Sequence, residues 1–104
     1  MEAAPARIPA DIEAAIKAII GNPNRADATF TLASIANRAT AALHQVARTE
    51  ATAHKGLPDW GRWAALANTS RDAVLRTATC RQTAQQLALA ERQAATPPIV
   101  ADPE

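Results

Sequence analysis

The sequence predicts an all-α protein: a small helical bundle of three to four helices, built on a long antiparallel helical hairpin. Alanine, which has the highest intrinsic helix propensity, supplies 28 of the 104 residues, whereas Ile, Leu, Val, Phe, Met and Trp together supply 21. No segment shows the alternation of a half-buried strand. Because an alanine buries only one methyl group, we expect a chain rich in helix, poor in core and marginally stable as a monomer.

The first helix is predicted over residues 9–20. Pro9 suits the first helical position, Asp11 and Glu13 suit the positive end of the helix dipole, and Gly21 ends the helix. Five isoleucines recur with the helical period and form the strongest amphipathic stripe of the chain, which we expect to lie across the hairpin. They are Ile8, Ile12, Ile16, Ile19 and Ile20.

The second helix is predicted to begin at residue 27 or 29 and to end near residue 54. Apolar and small residues three and four positions apart predict a heptad-like seam along it. Gly56 and Pro58 end this helix, and the chain is expected to fold back after them. The predicted seam consists of Leu32, Ile35, Ala39, Ala42, Val46, Thr49 and Ala53.

The returning arm of the hairpin begins where Asp59 is expected to cap a helical element that starts at Trp60. A break is predicted within residues 68–72, because Thr69 with an aspartate three residues later resembles a capping box. The last helix then covers residues 71–95.

One helical domain is therefore predicted over residues 9–95, between a flexible N-terminus, residues 1–8, and a proline-containing tail, residues 96–104. The single cysteine, Cys80, has no partner for an internal disulfide. No run of about 18 apolar residues is present to span a membrane, and the first residues carry acids and proline where a signal peptide is basic and then apolar. These features predict a soluble, cytoplasmic protein.

Trp60-Gly61-Arg62-Trp63 is the most distinctive local motif, with two tryptophans on one helical face. Trp and Arg are enriched at interface hot spots, although both rings would also fill the end of an alanine-rich hairpin. The leading hypothesis is a non-catalytic interaction or assembly module, an adaptor, inhibitor or homo-oligomer, that docks on a protein partner or on its own copies. The predicted protein-binding residues are Trp60, Arg62, Trp63, Arg81, Gln85 and Arg92.

A helical hairpin of this length with tryptophan near its turn resembles the small secreted WXG family. That family places Trp-any-Gly in the turn, whereas Gly61 directly follows Trp60 here. Its C-terminal secretion signal uses a tyrosine, and this chain contains none. The chain is therefore not assigned to that family.

The alternative hypothesis is a small helix-turn-helix nucleic-acid-binding protein or transcriptional regulator. The Leu-x-x-Ile-Ala-x-x-Ala spacing within residues 31–40 resembles the first helix of that motif. Residues 41–48 would then be the recognition helix, although nothing between the two breaks a continuous helix. The candidate nucleic-acid-binding residues are Arg38, His44, Gln45 and Arg48.

Charge is unevenly distributed along a chain whose formal net charge is +1. Between residues 30 and 90 there are seven Lys or Arg and only three Asp or Glu, which favours a polyanion as partner. Arg71, Arg76 and Arg81 lie five apart, however, so they form no stripe on one helix. This scatter favours a protein partner over nucleic acid.

The sequence offers few residues that could bind a metal ion or carry out catalysis. Glu50 and His54 lie four apart as a potential ligand pair, but two ligands do not make a metal site. Cys80 beside Arg81 lacks an evident base and oxyanion site, and no phosphate-binding loop occurs. No metal, cofactor, small-molecule substrate or enzymatic activity is expected.

Overall fold

The computed structural model describes residues 7–95, which form an all-α structure without strands. The two longer helices pack antiparallel along most of their length, so the predicted fold class and hairpin are confirmed. No helix in this part of the chain is both long and apolar enough to cross a bilayer. The predicted flexible N-terminus and proline-containing tail lie, except for Arg7 and Ile8, outside the described residues. The helices are α1 (Ala10–Ile20), α2 (Arg25–Ala53) and α3 (Trp60–Ala95).

The ends of α2 follow from local side-chain chemistry. At its start the Asn24 side-chain oxygen accepts a hydrogen bond from the Asp27 backbone N–H at 3.1 Å, which satisfies one of the unpaired donors of the first turn. At its end Gly56 adopts a φ of 88°, which costs a glycine far less than other residues. The chain reverses there, and α3 starts at Trp60.

The predicted break within residues 68–72 is wrong, because α3 is a continuous helix of 36 residues. No Gly or Pro interrupts this segment. Ser70 is only 1% exposed, and its hydroxyl donates to the Ala67 carbonyl at 3.1 Å. A serine hydroxyl that donates to a carbonyl of its own helix is compatible with an unbroken helix. With 36 residues, α3 extends about 54 Å.

The seam between α2 and α3 is made of small residues. On α2 they recur every seven positions at Ala26, Ala33, Thr40 and Ala47, and of these Thr40 alone is not fully buried. Small side chains let two long helices approach closely, and close contact replaces bulk as the source of packing energy. The buried residues of the described chain are Ala26, Ala28, Ala33, Ala47, Ala84, Ala88 and Ser70.

The predicted seam on α2 is consequently wrong in phase. Ile35 is 38% exposed and Val46 is 55% exposed, and most of the predicted stripe lies on the side of α2 that faces away from α3. Ile35 and Thr49 stand at its edge, where they line shallow grooves beside the seam. Only Leu32 among the seven residues is partly covered. We call this stripe the outer face of α2; it comprises Leu32, Ile35, Ala39, Ala42, Val46, Thr49 and Ala53.

Polar side chains inside the seam hold the two helices in register. The Asn37 amide nitrogen donates to the Val74 carbonyl at 3.2 Å and to the Thr77 hydroxyl at 3.1 Å. The hydroxyls of Thr40 and Thr77 lie 2.9 Å apart. Because a polar group in a helical seam is satisfied in one alignment only, this cluster specifies how α2 pairs with α3.

The first helix does not cover the hairpin, contrary to expectation. α1 has no buried residue, and of the other two helices it contacts only α2. The Arg25 guanidinium donates to the Ile20 and Asn22 carbonyls and ties the loop to the start of α2. The result is a rod of 76 × 28 × 13 Å in which Ile8, Ile12 and Ile20 remain largely exposed.

Candidate functional site

The tip of the hairpin carries a cluster of charged side chains around one imidazole. His54 follows the last residue of α2, and its Nδ1 lies 2.9 Å from the Asp59 carboxylate, just before α3. Its Nε2 lies 3.2 Å from a Glu50 carboxylate oxygen. The imidazole ring also packs against Trp63, with ring centroids 5.7 Å apart. The cluster therefore joins the end of one helix to the start of the next.

This arrangement shifts two pKa values in opposite directions. The hydrogen bond with Asp59 raises the pKa of His54 against a smaller opposing effect of desolvation, and the Glu50 charge adds to the rise. The same hydrogen bond lowers the pKa of Asp59. With both ring nitrogens at carboxylates, the imidazolium form is favoured. Within residues 7–95 no three His, Cys, Asp or Glu side chains are grouped to hold a metal ion.

We expect the stability of the hairpin to depend on pH through this cluster. A raised His54 pKa stabilises the folded state fully below the unfolded value of about 6.5, and this contribution is lost as pH rises through the folded pKa. A lowered Asp59 pKa contributes above its unfolded value and is lost as pH falls through the folded one. Thermal melting followed by circular dichroism should therefore peak at mildly acidic pH.

His54→Gln tests this expectation, because glutamine does not titrate. The variant should lose the decline in melting temperature above neutral pH that the native protein shows. An equal alkaline decline in both proteins would contradict a role for the His54 cluster in stability.

The predicted protein-binding residues at the tip do not share one surface. Trp60 is 43% exposed and lines a groove with Arg48 and Lys55. Trp63 is half-buried and, with Arg62, lines a different groove that also contains Asp59 and Leu66. The two tryptophans share one helix but lie beside different neighbours.

The other three predicted protein-binding residues lie far from the tip. Arg81 is 21 residues beyond Trp60 on α3, about 32 Å along the helix axis. Its guanidinium lies 5.3 Å from the Phe30 ring centroid, and its Nε donates to the Ser34 hydroxyl at 3.1 Å. Arg92 lies 3.5 Å from the Asp27 carboxylate. The six residues, which also include the exposed Gln85, are not brought together as one site.

The turn that the alternative helix-turn-helix hypothesis requires is absent, because α2 is continuous through Thr40, as the prediction of one long second helix had it. The Thr40 hydroxyl donates to the Ala36 carbonyl at 2.9 Å, inside an unbroken helix. His44 belongs to the seam, where its Nδ1 lies 3.0 Å from the Ala67 carbonyl. The other three candidate nucleic-acid-binding residues remain exposed. They are Arg38, Gln45 and Arg48.

Those exposed residues belong to one broad side of the hairpin that is marked by three shallow grooves. Arg38 and Arg81 line the first groove, Arg48 the second, and Arg48 with Lys55 the third, of about 350 Å³. No Asp or Glu lines any of the three. Arg71 lies on the same side of α3, since it follows the groove residues at helical spacing. We call this surface the basic face; its cations are Arg38, Arg48, Lys55, Arg71 and Arg81.

Sequence reasoning missed Lys55 and Arg71 as members of this surface. Helical spacing within a single helix does not indicate that they share a surface with the other cations, because the basic face forms only when α2 and α3 pair. The charge excess of the middle of the chain was the one available indication.

No family model, curated protein or solved structure matches this chain. The fold and its surfaces define an elongated α-helical hairpin with two chemically different exposed surfaces, the outer face of α2 and the basic face.

Proposed function

We propose that this protein is a non-catalytic helical docking module that assembles with copies of itself through the outer face of α2. One observation carries the proposal: among the described residues every buried apolar side chain is an alanine, whereas many of the large apolar side chains are exposed. Ile35 and Val46 are both exposed, whereas Ala47 is completely buried. Small side chains inside and large apolar side chains outside are the arrangement expected when the larger side chains make contacts between molecules.

Energetics support this proposal. Burying one methyl or methylene group contributes roughly 0.8 kcal/mol, whereas fully burying a Val, Leu or Ile side chain contributes about 1.5–3 kcal/mol. Ordering each residue of the backbone costs about 1–2 kcal/mol. A seam of alanines therefore leaves the isolated hairpin with a small margin. Covering the outer face of α2 in a second molecule would add the missing burial.

The outer face of α2 also has the geometry of a helix-packing seam. Its residues alternate steps of three and four along the helix, the spacing at which side chains interdigitate between paired helices. None of its seven residues is charged. Arg38 and Glu50 lie on opposite flanks of the stripe, at positions where charges set the orientation of a partner helix.

The area of one helical stripe is limited, so other exposed apolar residues are expected to contribute. A stable interface buries roughly 800 Å² on each partner. The isoleucine stripe of α1 is a second exposed apolar surface, in which Ile12 and Ile20 are about half exposed. An interface of standard size would involve both stripes.

Sedimentation velocity from micromolar to hundreds of micromolar protein tests the proposal. The native chain should shift from monomer to a defined oligomer with increasing concentration. The double variant Ile35→Ser/Val46→Ser should remain a monomer, because both serines remove apolar area from the outer face while leaving the seam intact.

Leu75→Ser is the matched control, since Leu75 on α3 is 60% exposed and lies outside the stripe. The control should associate as the native chain does. A native protein that stays monomeric at every concentration, or a control that dissociates as fully as the double variant, would reject assembly through the outer face of α2.

A further inference from the structure

We infer that the basic face binds the phosphodiester backbone of nucleic acid without regard to base sequence. This inference goes beyond the proposed assembly and does not depend on it, because none of its five cations belongs to the outer face of α2. The two surfaces meet along one edge, where Ile35 and Thr49 of the outer face also line grooves of the basic face. Its basis is a strip of cations, hydrogen-bond donors and small side chains that α2 and α3 form together.

The cations form a continuous strip across both helices. Arg38 and Arg48 lie ten residues apart on α2, which is about 15 Å along the helix axis, and Lys55 follows in the turn after α2. Arg81 reaches across the seam to Ser34, and so enters the strip at its far end. The Ser70 hydroxyl of α3 lies 3.1 Å from His44 Nδ1 of α2, so this part of α3 is level with the segment of α2 between Arg38 and Arg48. Arg71, the next residue, therefore lies near the middle of the strip.

Acidic side chains do not cancel this charge locally. Two of the three acids between residues 30 and 90 are Glu50 and Asp59, and both lie against the His54 imidazole. The third, Asp72, lines none of the three grooves. Unopposed charges of one sign along a surface attract a polyanion over several ångströms and speed its association.

Neutral hydrogen-bond donors lie between the cations. Ser and Thr hydroxyls and Asn and Gln amides donate to phosphate oxygens in protein–DNA interfaces, alongside Arg and Lys. Such groups fix position on the backbone without selecting a base. The donors of this kind that line the grooves are Thr31, Ser34, Gln45 and Asn68.

The chemistry at the centre of the strip favours nucleic acid over an acidic protein. Protein partners are held by large apolar or aromatic anchors near the middle of the interface. The middle of the basic face offers Ala41, Gln45 and Ala67 instead. Its one large aromatic ring, Trp60, stands at the tip end, where an exposed indole is able to stack on an unpaired base.

Fluorescence anisotropy with a labelled duplex of mixed sequence tests this inference, with the labelled single strand as a second probe. We expect dissociation constants on the order of 10⁻⁴ to 10⁻⁶ M near physiological salt. The logarithm of affinity should fall linearly with the logarithm of salt concentration, with a slope of about −4.5 for the duplex if all five cations meet phosphates. The stronger of the two probes identifies the form of nucleic acid.

Paired substitutions separate the basic face from net charge. Arg38→Gln/Arg48→Gln should reduce the magnitude of the duplex slope by about 2 while leaving the helical circular dichroism unchanged. The control Lys17→Gln/Arg76→Gln removes the same charge, from α1 and from the side of α3 that carries Leu66. It should retain the native slope.

Three outcomes would overturn the inference. They are no binding of either probe at low salt, an equal loss in both double variants, or tight binding of a polyglutamate chain that the duplex does not displace. The last outcome would identify the basic face as a surface for acidic proteins. Repeating the titration with Ile35→Ser/Val46→Ser keeps the result separate from self-assembly, because that variant retains all five cations.

Discussion

Replacing Ala47 by leucine should destabilise the hairpin by about 1–3 kcal/mol, the usual cost of forcing extra carbons into a packed core. Ala47 is completely buried against α3, where the close approach of two long helices leaves no room for a larger side chain. The added carbons would separate the helices and weaken nearby contacts along the seam. Urea unfolding followed by circular dichroism would measure the change in the free energy of unfolding.

Ala42→Leu is the matched control, because it makes the same chemical change on the same helix. Ala42 lies on the outer face of α2 and is exposed, so its effect on monomer stability should stay within about 0.5 kcal/mol. If Ala42→Leu proved as destabilising as Ala47→Leu, the assigned phase of the seam would be wrong. A gain in self-association by Ala42→Leu would further support the outer face as a contact surface.

The phase of this seam is the part of the fold that sequence reasoning misjudged. Helix propensity, Gly21 and Gly56 predicted the first two helices and the turn between the arms to within a few residues, because helix-ending chemistry is local. The phase depends on which face of an alanine-rich helix packs inward. Sequence reasoning chose the face with Ile35 and Val46, whereas the structure buries the face with the smaller residues.

The polar seam explains why the smaller face is the one that packs. The inter-helix hydrogen bonds of Asn37 with Thr77 and of Thr40 with Thr77 form only when these side chains lie between the helices. Turning α2 to bury Ile35 would expose those groups to solvent and put β-branched bulk where the helices now approach closely. Among residues 7–95, no buried side-chain nitrogen or oxygen lacks a partner, which is consistent with this alignment.

The basic face could be predicted from sequence only in part, for a related reason. The charge excess of the middle segment was evident from composition, and Arg38 and Arg48 were named as candidates. Their combination with Arg71 and Arg81 requires the antiparallel alignment of two helices. A pattern search along one helix misses such a surface, because its members are distant in sequence and adjacent only after folding.

Replacing Trp63 by alanine should be the most damaging single change at the tip, with a loss of about 2 kcal/mol. Burying an aromatic side chain completely is worth more, about 3–5 kcal/mol on truncation to alanine, but Trp63 is only half-buried. The substitution would also remove the ring on which His54 packs, so the link between α2 and α3 would loosen. Urea unfolding would measure the loss.

Trp60→Ala provides the internal comparison, because the two tryptophans differ in exposure and not in residue type. Trp60 lies at the edge of the basic face and contributes little to the tip, so its removal should change monomer stability by less than about 0.5 kcal/mol. Binding of single-stranded nucleic acid should weaken instead, since an exposed ring is available for stacking. Equal destabilisation by both substitutions would make both rings structural and would remove Trp60 from the candidate binding surface.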